Sequence, residues 1–163
     1  MNDNYAVING KKIELTGKQI KALGFEARKN PFKDVDRFED YYFVDRNNEV
    51  HASMKTDSSV DNQMYTSANY FSDKAFAEQV ALHQLLYRKL LKFAYENDCE
   101  DREWGTKHEH CHIYYDTDSD KFDIDVNDVF KYQGVYFSTR QGANRAIEEV
   151  VKPFMKEHPE FVW

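Results

Sequence analysis

Apolar and polar positions along this chain group into short runs of strand length bounded by turn residues, with one long stretch of helical period in the middle. YAVI (5–8) and KKIEL (11–15) flank Asn9-Gly10. Asn-Gly accepts the positive φ angles of a type I′ turn, so this pattern predicts a two-residue β-hairpin. A short helix should follow, with Thr16 and Gln19 at capping-box spacing and Gly24 as the left-handed stop after Leu23. NPFKDV (30–35) reads as a linker. Further on, Phe76, Val80, Leu86, Leu90 and Phe93 fall near i, i+3, i+4 spacing, which predicts an amphipathic helix over roughly 73–96 packed across a sheet.

The pattern then repeats at a period of about 66 to 71 residues. YYFVDRNNEVHA (41–52) lies over HIYYDTDSDKFDID (112–125), both reading as hairpins with polar turns. After a polar gap, SANYFSDKAFAEQV from Ser67 lies over QGVYFSTRQGANRAI from Gln133, a short aromatic strand running into a helix. Tyr70-Phe71-Ser72 falls on Tyr136-Phe137-Ser138, and the common serines are the expected N-caps. Ala143, Ala146, Ile147 and Val150 mark the inner side of the second helix, which Pro153 should end or kink. FMKEHPEFVW closes the chain as an aromatic-docked tail.

The fold class expected is therefore α+β: antiparallel hairpins with helices packed on one face, an internal duplication of a ββ(β)α module, and an N-terminal hairpin-helix. The segments are 1–35, 36–98 and 99–163. A shared core in one compact domain is expected, because neither unit buries enough apolar surface alone. Two domains linked by the long helix are the alternative.

Composition adds that the chain folds throughout, with 41% hydrophobic residues in 163. MNDNYAVING carries no basic-then-apolar leader, and no window approaches the roughly 18 apolar residues of a membrane span. A cytosolic location is expected, with no membrane partner. Two cysteines, Cys99 and Cys111, fit a reducing compartment.

Net charge is −7, unevenly placed: residues 96–128 carry −9 and residues 1–35 carry +3. Such a balance argues against direct nucleic-acid binding, which is driven by Lys and Arg neutralising phosphates. It favours a partner protein with a basic surface.

Three chemical candidates arise. In KHEHCHIYY, a strand places His108, His110 and His112 on one face about 6 to 7 Å apart. They could begin a zinc shell that Cys99, Glu109 or Cys111 completes, or simply be solvated. Asp116, Asp118 and Asp120 match the first three ligand positions of a calcium loop, but Lys121 and Asn127 stand where glycine and the bidentate Glu belong, so the stretch reads as an Asp-rich turn. Finally, Asp116, Asp118, Asp120, Asp123 and Asp125 with Tyr114 and Tyr115 form a candidate partner-binding face, joined by Tyr132 and Tyr136. Reversing charge at Asp116, Asp118 and Asp120 together is expected to leave the fold intact. No nucleophile elbow, phosphate loop or H-E-x-x-H is present, so a non-enzymatic protein is expected, with no catalytic residues. A metal-dependent hydrolase on the histidine strand and a self-associating structural module are the alternatives.

INGKKIELTGKQIKALGF, NPFKDV, YYFVDRNNEV and ANYFSDKAFAEQV together resemble small phage and prophage accessory proteins of Gram-positive bacteria, whose hairpins read YY-I-D-x-x-G-x-V and whose helices start G-N-Y-F. The likeness covers most of the chain. Asn48 stands at the turn glycine, Ala68 precedes Asn69, and the second copy lacks the Asn. The resemblance implies a mobile-element origin and, by analogy of class, an inhibitor of a host defence nuclease such as a CRISPR effector.

Overall fold

A computed structural model describes residues 5–8, 10–22, 30–101, 104, 109–127 and 130–163. Strands β1 (Tyr5–Ile8) and β2 (Lys11–Glu14) pair antiparallel across a turn in which Gly10 takes a φ of 79°. Helix α1 (Gly17–Ala22) follows, with the Thr16 N–H donating to Gln19 Oε1 at 2.8 Å as the capping box requires. Leu23 and Gly24 lie outside the described residues.

The first hairpin, β3 (Asp40–Val44) with β4 (Val50–Met54), turns at Asp45, whose carboxylate accepts from the N–H groups of Asn47 and Glu49. Asn48 holds a φ of 72°, a left-handed position that Asn tolerates almost as glycine does. Its side chain also donates to Ala81 O and accepts from Arg88, fastening the turn to the long helix.

Helix α2 (Ser59–Thr66) fills the polar gap expected between the first hairpin and the aromatic segment. Ser58 and Asp61 form its capping box. The aromatic segment then pairs Phe71 with Tyr42 by two backbone bonds of 2.8 Å. The Asn69 side-chain amide bonds both N–H and C=O of Val44, so it extends the ladder as a strand residue would.

Helix α3 (Lys74–Glu96) is capped by Asp73, not Ser72, because the Asp73 carboxylate reaches the Phe76 N–H at 3.0 Å. Ser72 instead donates toward Asn30 O and Pro31 O and so holds residues 30–35 in place. That linker is packed, with Phe32 against Phe71 and Phe76.

The second hairpin, β5 (His110–Asp116) with β6 (Lys121–Asn127), is joined by β7 (Tyr136–Phe137) in the order β6-β5-β7. In the first unit helix α2 intervenes and the aromatic segment makes only an isolated bridge to β3, whereas in the second β7 joins the sheet beside β5. Helix α4 (Arg140–Ala146) starts at Thr139 rather than Ser138, for Thr139 Oγ1 accepts from the Gly142 N–H. At Pro153 the chain neither ends its helix nor breaks it. A π-helical turn, Ile147–Val151, leads into α5 (Lys152–Glu157), and that wide turn accommodates the proline's missing donor and its ring.

Among the described residues, two clusters of buried apolar side chains are strung along α3 rather than one shared core. Ala77 and Ala81 meet Val44 and Phe71, while Leu86, Leu90 and Phe93 meet Cys111, Ile113, Ile124, Phe137 and the C-terminal helices. The hairpins lie in separate sheets. The tail docks as expected: Phe161 is buried against Phe154 and His83, and the Gln79 amide pairs with Glu160 O and the Val162 N–H. Among the described residues no helix is long and apolar enough to cross a membrane.

Candidate interaction surface

Pairing register decides what the β6-β5-β7 sheet shows to solvent. Cys111, Ile113 and Tyr115 stand opposite Val126, Ile124 and Phe122, and strand alternation aims this set at the helices. His112 and Tyr114 face the other way, opposite Asp125 and Asp123, with Asp116 opposite Lys121 and Tyr136 opposite His112. The sequence-predicted tyrosines therefore divide. Tyr114 and Tyr132 are exposed, whereas Tyr136 is buried and Tyr115 lies on the inner face with its ring against Phe122.

Asp123 and Asp125 join Tyr114 on the outer face, with Arg140 at 3.7 Å from Asp123. Burial first, and then the carboxylates of Asp123, Asp116 and Asp125, push the Tyr114 phenol above its ordinary pKa. Asp116 and Asp120 are committed to the turn. Asp116 accepts from the Asp118 and Ser119 N–H groups and from the Ser119 hydroxyl, bonds that hold its carboxyl below the usual range. Asp120, at a φ of 56°, accepts from the Tyr115 hydroxyl. These carboxylates shape the hairpin, which corrects the expectation that all three acids could be reversed without harm. Asp118, exposed at the tip, is the one suited to that change.

The histidine strand is packed rather than solvated at its start. His110 is fully buried, its Nδ1 held by the Asp101 carboxylate and its ring stacked on Trp104 at 3.8 Å. Lys131 sits 5.1 Å above the same indole. His112 is half-buried beside Tyr136, and burial lowers its pKa against the opposing pull of Asp125. His110 and His112 share a face as alternation predicts, and His108 lies outside the described residues. Cys99 and Cys111 are free and buried, with burial raising both thiol pKa values. Among the described residues, the side chains that come within reach of a single ion are Asp45, Glu49 and His51 on the first hairpin turn. The sequence carried no motif for that group, only the shared face of Glu49 and His51.

Hollows lined by described residues adjoin the sheet. One of about 320 Å³ lies between α3, β5 and the tail, walled by Leu86, Leu90, Ile113, Val135 and Phe161, with Tyr87 and Trp163 also lining it. Another, of about 130 Å³, lies between Tyr95, Leu91, Trp104 and Lys131. Gly134 and Val135 line both. On α3, Tyr87, Leu91 and Tyr95 form an exposed stripe at i, i+4, i+8 past these hollows. Sequence reasoning followed only the buried side of this helix and missed it, although the second four-residue series is visible in the sequence.

Set against protein-family models, curated proteins and solved structures, the chain matches none.

Proposed function

We propose that this is a non-enzymatic binding protein of phage or prophage origin that engages a basic protein surface through the acidic outer face of its β6-β5-β7 sheet. The observation that carries the reading is the β5–β6 register. It places exposed Tyr114 among the carboxylates of Asp123, Asp125 and Asp116, so an aromatic contact is ringed by negative charge. Asp123 and Asp125 stand about 6.6 Å apart along one strand, a fixed row of charge that can occupy a groove built for phosphates. A nucleic-acid-handling partner, such as a host defence nuclease of the CRISPR type, fits that chemistry. The charge pattern steers encounter, and Tyr114 and Tyr132 supply contact area.

The test is capture of partners from host lysate by tagged protein across a salt series. Recovery of a basic nucleic-acid-binding complex that declines as the Debye length shortens from about 10 Å to about 3 Å is expected. Recovery indifferent to salt would count against the acidic face.

A further inference from the structure

Strand β5 is only partly covered on one side. It pairs with β6 along all seven residues, but β7 pairs with it only at Cys111 and His112. On that side, Ile113 to Asp116 face no strand among the described residues. Ahead of β7, Gly134 lies against the His112 side chain, where a Cβ would sit 2.6 Å from Nε2. Only glycine lets the chain pass the imidazole there, two residues before it enters the sheet as β7. Ile113-Tyr114-Tyr115-Asp116 contains neither the Lys nor the Pro that commonly blunts a strand edge, and three of its residues favour extended structure.

The larger hollow opens beside this edge, since Ile113 and Tyr114 line it together with Leu86 and Leu90 of α3. Its rim is acidic. Asp116, Asp123 and Asp125 act on Tyr114, and Asp125 acts on His112, both of which line the hollow. Among the described residues, Lys121 is paired with Asp116 in register and Arg140 with Asp123 by contact.

We propose that an extended basic segment of a partner protein adds to β5 as a strand beyond β7 and seats an apolar side chain in the hollow between α3, β5 and the tail. This rests on the acidic-face reading and gives it a mode of binding. Strand addition supplies main-chain hydrogen bonds while alternate side chains enter pockets, and here an apolar pocket adjoins an open edge within a negative field. Charge selects the occupant: a second copy of this chain would bring the same acidic turn and a net −7 against its like.

The test uses the full chain and a blocked synthetic peptide, KTKVWVKTK, with its acidic twin ETEVWVETE. The basic peptide is expected to bind at least tenfold more tightly than the twin and to slow hydrogen exchange at Ile113 to Asp116. Methylating its backbone nitrogens one at a time should weaken binding at every second position, the alternation a strand partner imposes. Tyr87→Lys, at an exposed mouth residue, should lower affinity at least tenfold without changing the circular dichroism or Tm.

No binding by either peptide at millimolar concentration, a methylation scan without alternation, or a peptide-free dimer protecting the same amides would each overturn the proposal. Failure here is separable from failure of the acidic-face reading. If the peptides fail while Asp123→Lys with Asp125→Lys still abolishes partner capture, only strand addition falls. If capture is also unchanged, both fall.

Discussion

Asp61 accepts hydrogen bonds from the N–H groups of Thr56 and Ser58 and from the Tyr41 hydroxyl, and these hold its carboxyl far below the usual carboxylate range. Its folded-state pKa lies under the unfolded value near 3.8, so its stabilisation is complete above that value and is lost as pH falls below about 4. Asp61→Asn should lower Tm at neutral pH by roughly 5 °C and flatten the acid limb of a thermal-denaturation series. Equal loss at pH 2.5 and pH 7 would show that the charge is not what matters. Asn48 poses a different residue-scale question, because it combines a left-handed backbone with bonds to Ala81 and Arg88. Asn48→Ala incurs both losses and should cost about 2–3 kcal/mol in urea unfolding, whereas Asn48→Gly should cost less because glycine keeps the backbone angle. Equal costs would mean that only the side-chain bonds count.

Helix α3 organises the elements, and its two halves serve different clusters. The N-terminal half presents Ala77 and Ala81, small enough for the first hairpin to lie close, and the C-terminal half presents Leu86, Leu90 and Phe93 to the second. Leu90→Ala should remove about 2–5 kcal/mol of stability. Hydrogen exchange should report the loss first at Ile113 and Ile124, with the β3–β4 amides keeping their protection. Uniform loss across both hairpins would indicate one cooperative core.

Hairpins, the long helix and the aromatic strands were legible because their signals are local: Asn-Gly at a turn, i, i+4 apolar spacing, alternation. Helix α2 was missed although Ser58 and Asp61 spell its capping box, because the residues between Ser59 and Thr66 carry no strong apolar face. The helices are capped one residue after Ser72 and Ser138, because the side chains of Asp73 and Thr139 reach the amide three residues on. The two clusters were not legible, since which half of α3 meets which hairpin depends on contacts far apart in sequence.

At the scale of the whole molecule, charge is the dominant legible property, and its structural meaning is narrower than composition suggests. Of the acids in the second hairpin, Asp116 and Asp120 build the turn, whereas Asp123 and Asp125 occupy the outer face beside Tyr114. Alternation predicted which histidines share a face, yet it could not foresee that Asp101 and Trp104 would bury His110. The partly unpaired β5 edge was equally invisible, because it follows from β7 pairing only with Cys111 and His112.

The most direct test of the acidic-face account is partner affinity at about 0.1 M salt for three proteins: the wild type, Asp123→Lys with Asp125→Lys, and Glu78→Lys with Glu157→Lys. The two variants change net charge equally, and the second alters exposed helix positions away from the sheet face. The account predicts a loss of about tenfold or more for the sheet variant and little change for the helix variant. Equal losses, or none in the sheet variant, would contradict it.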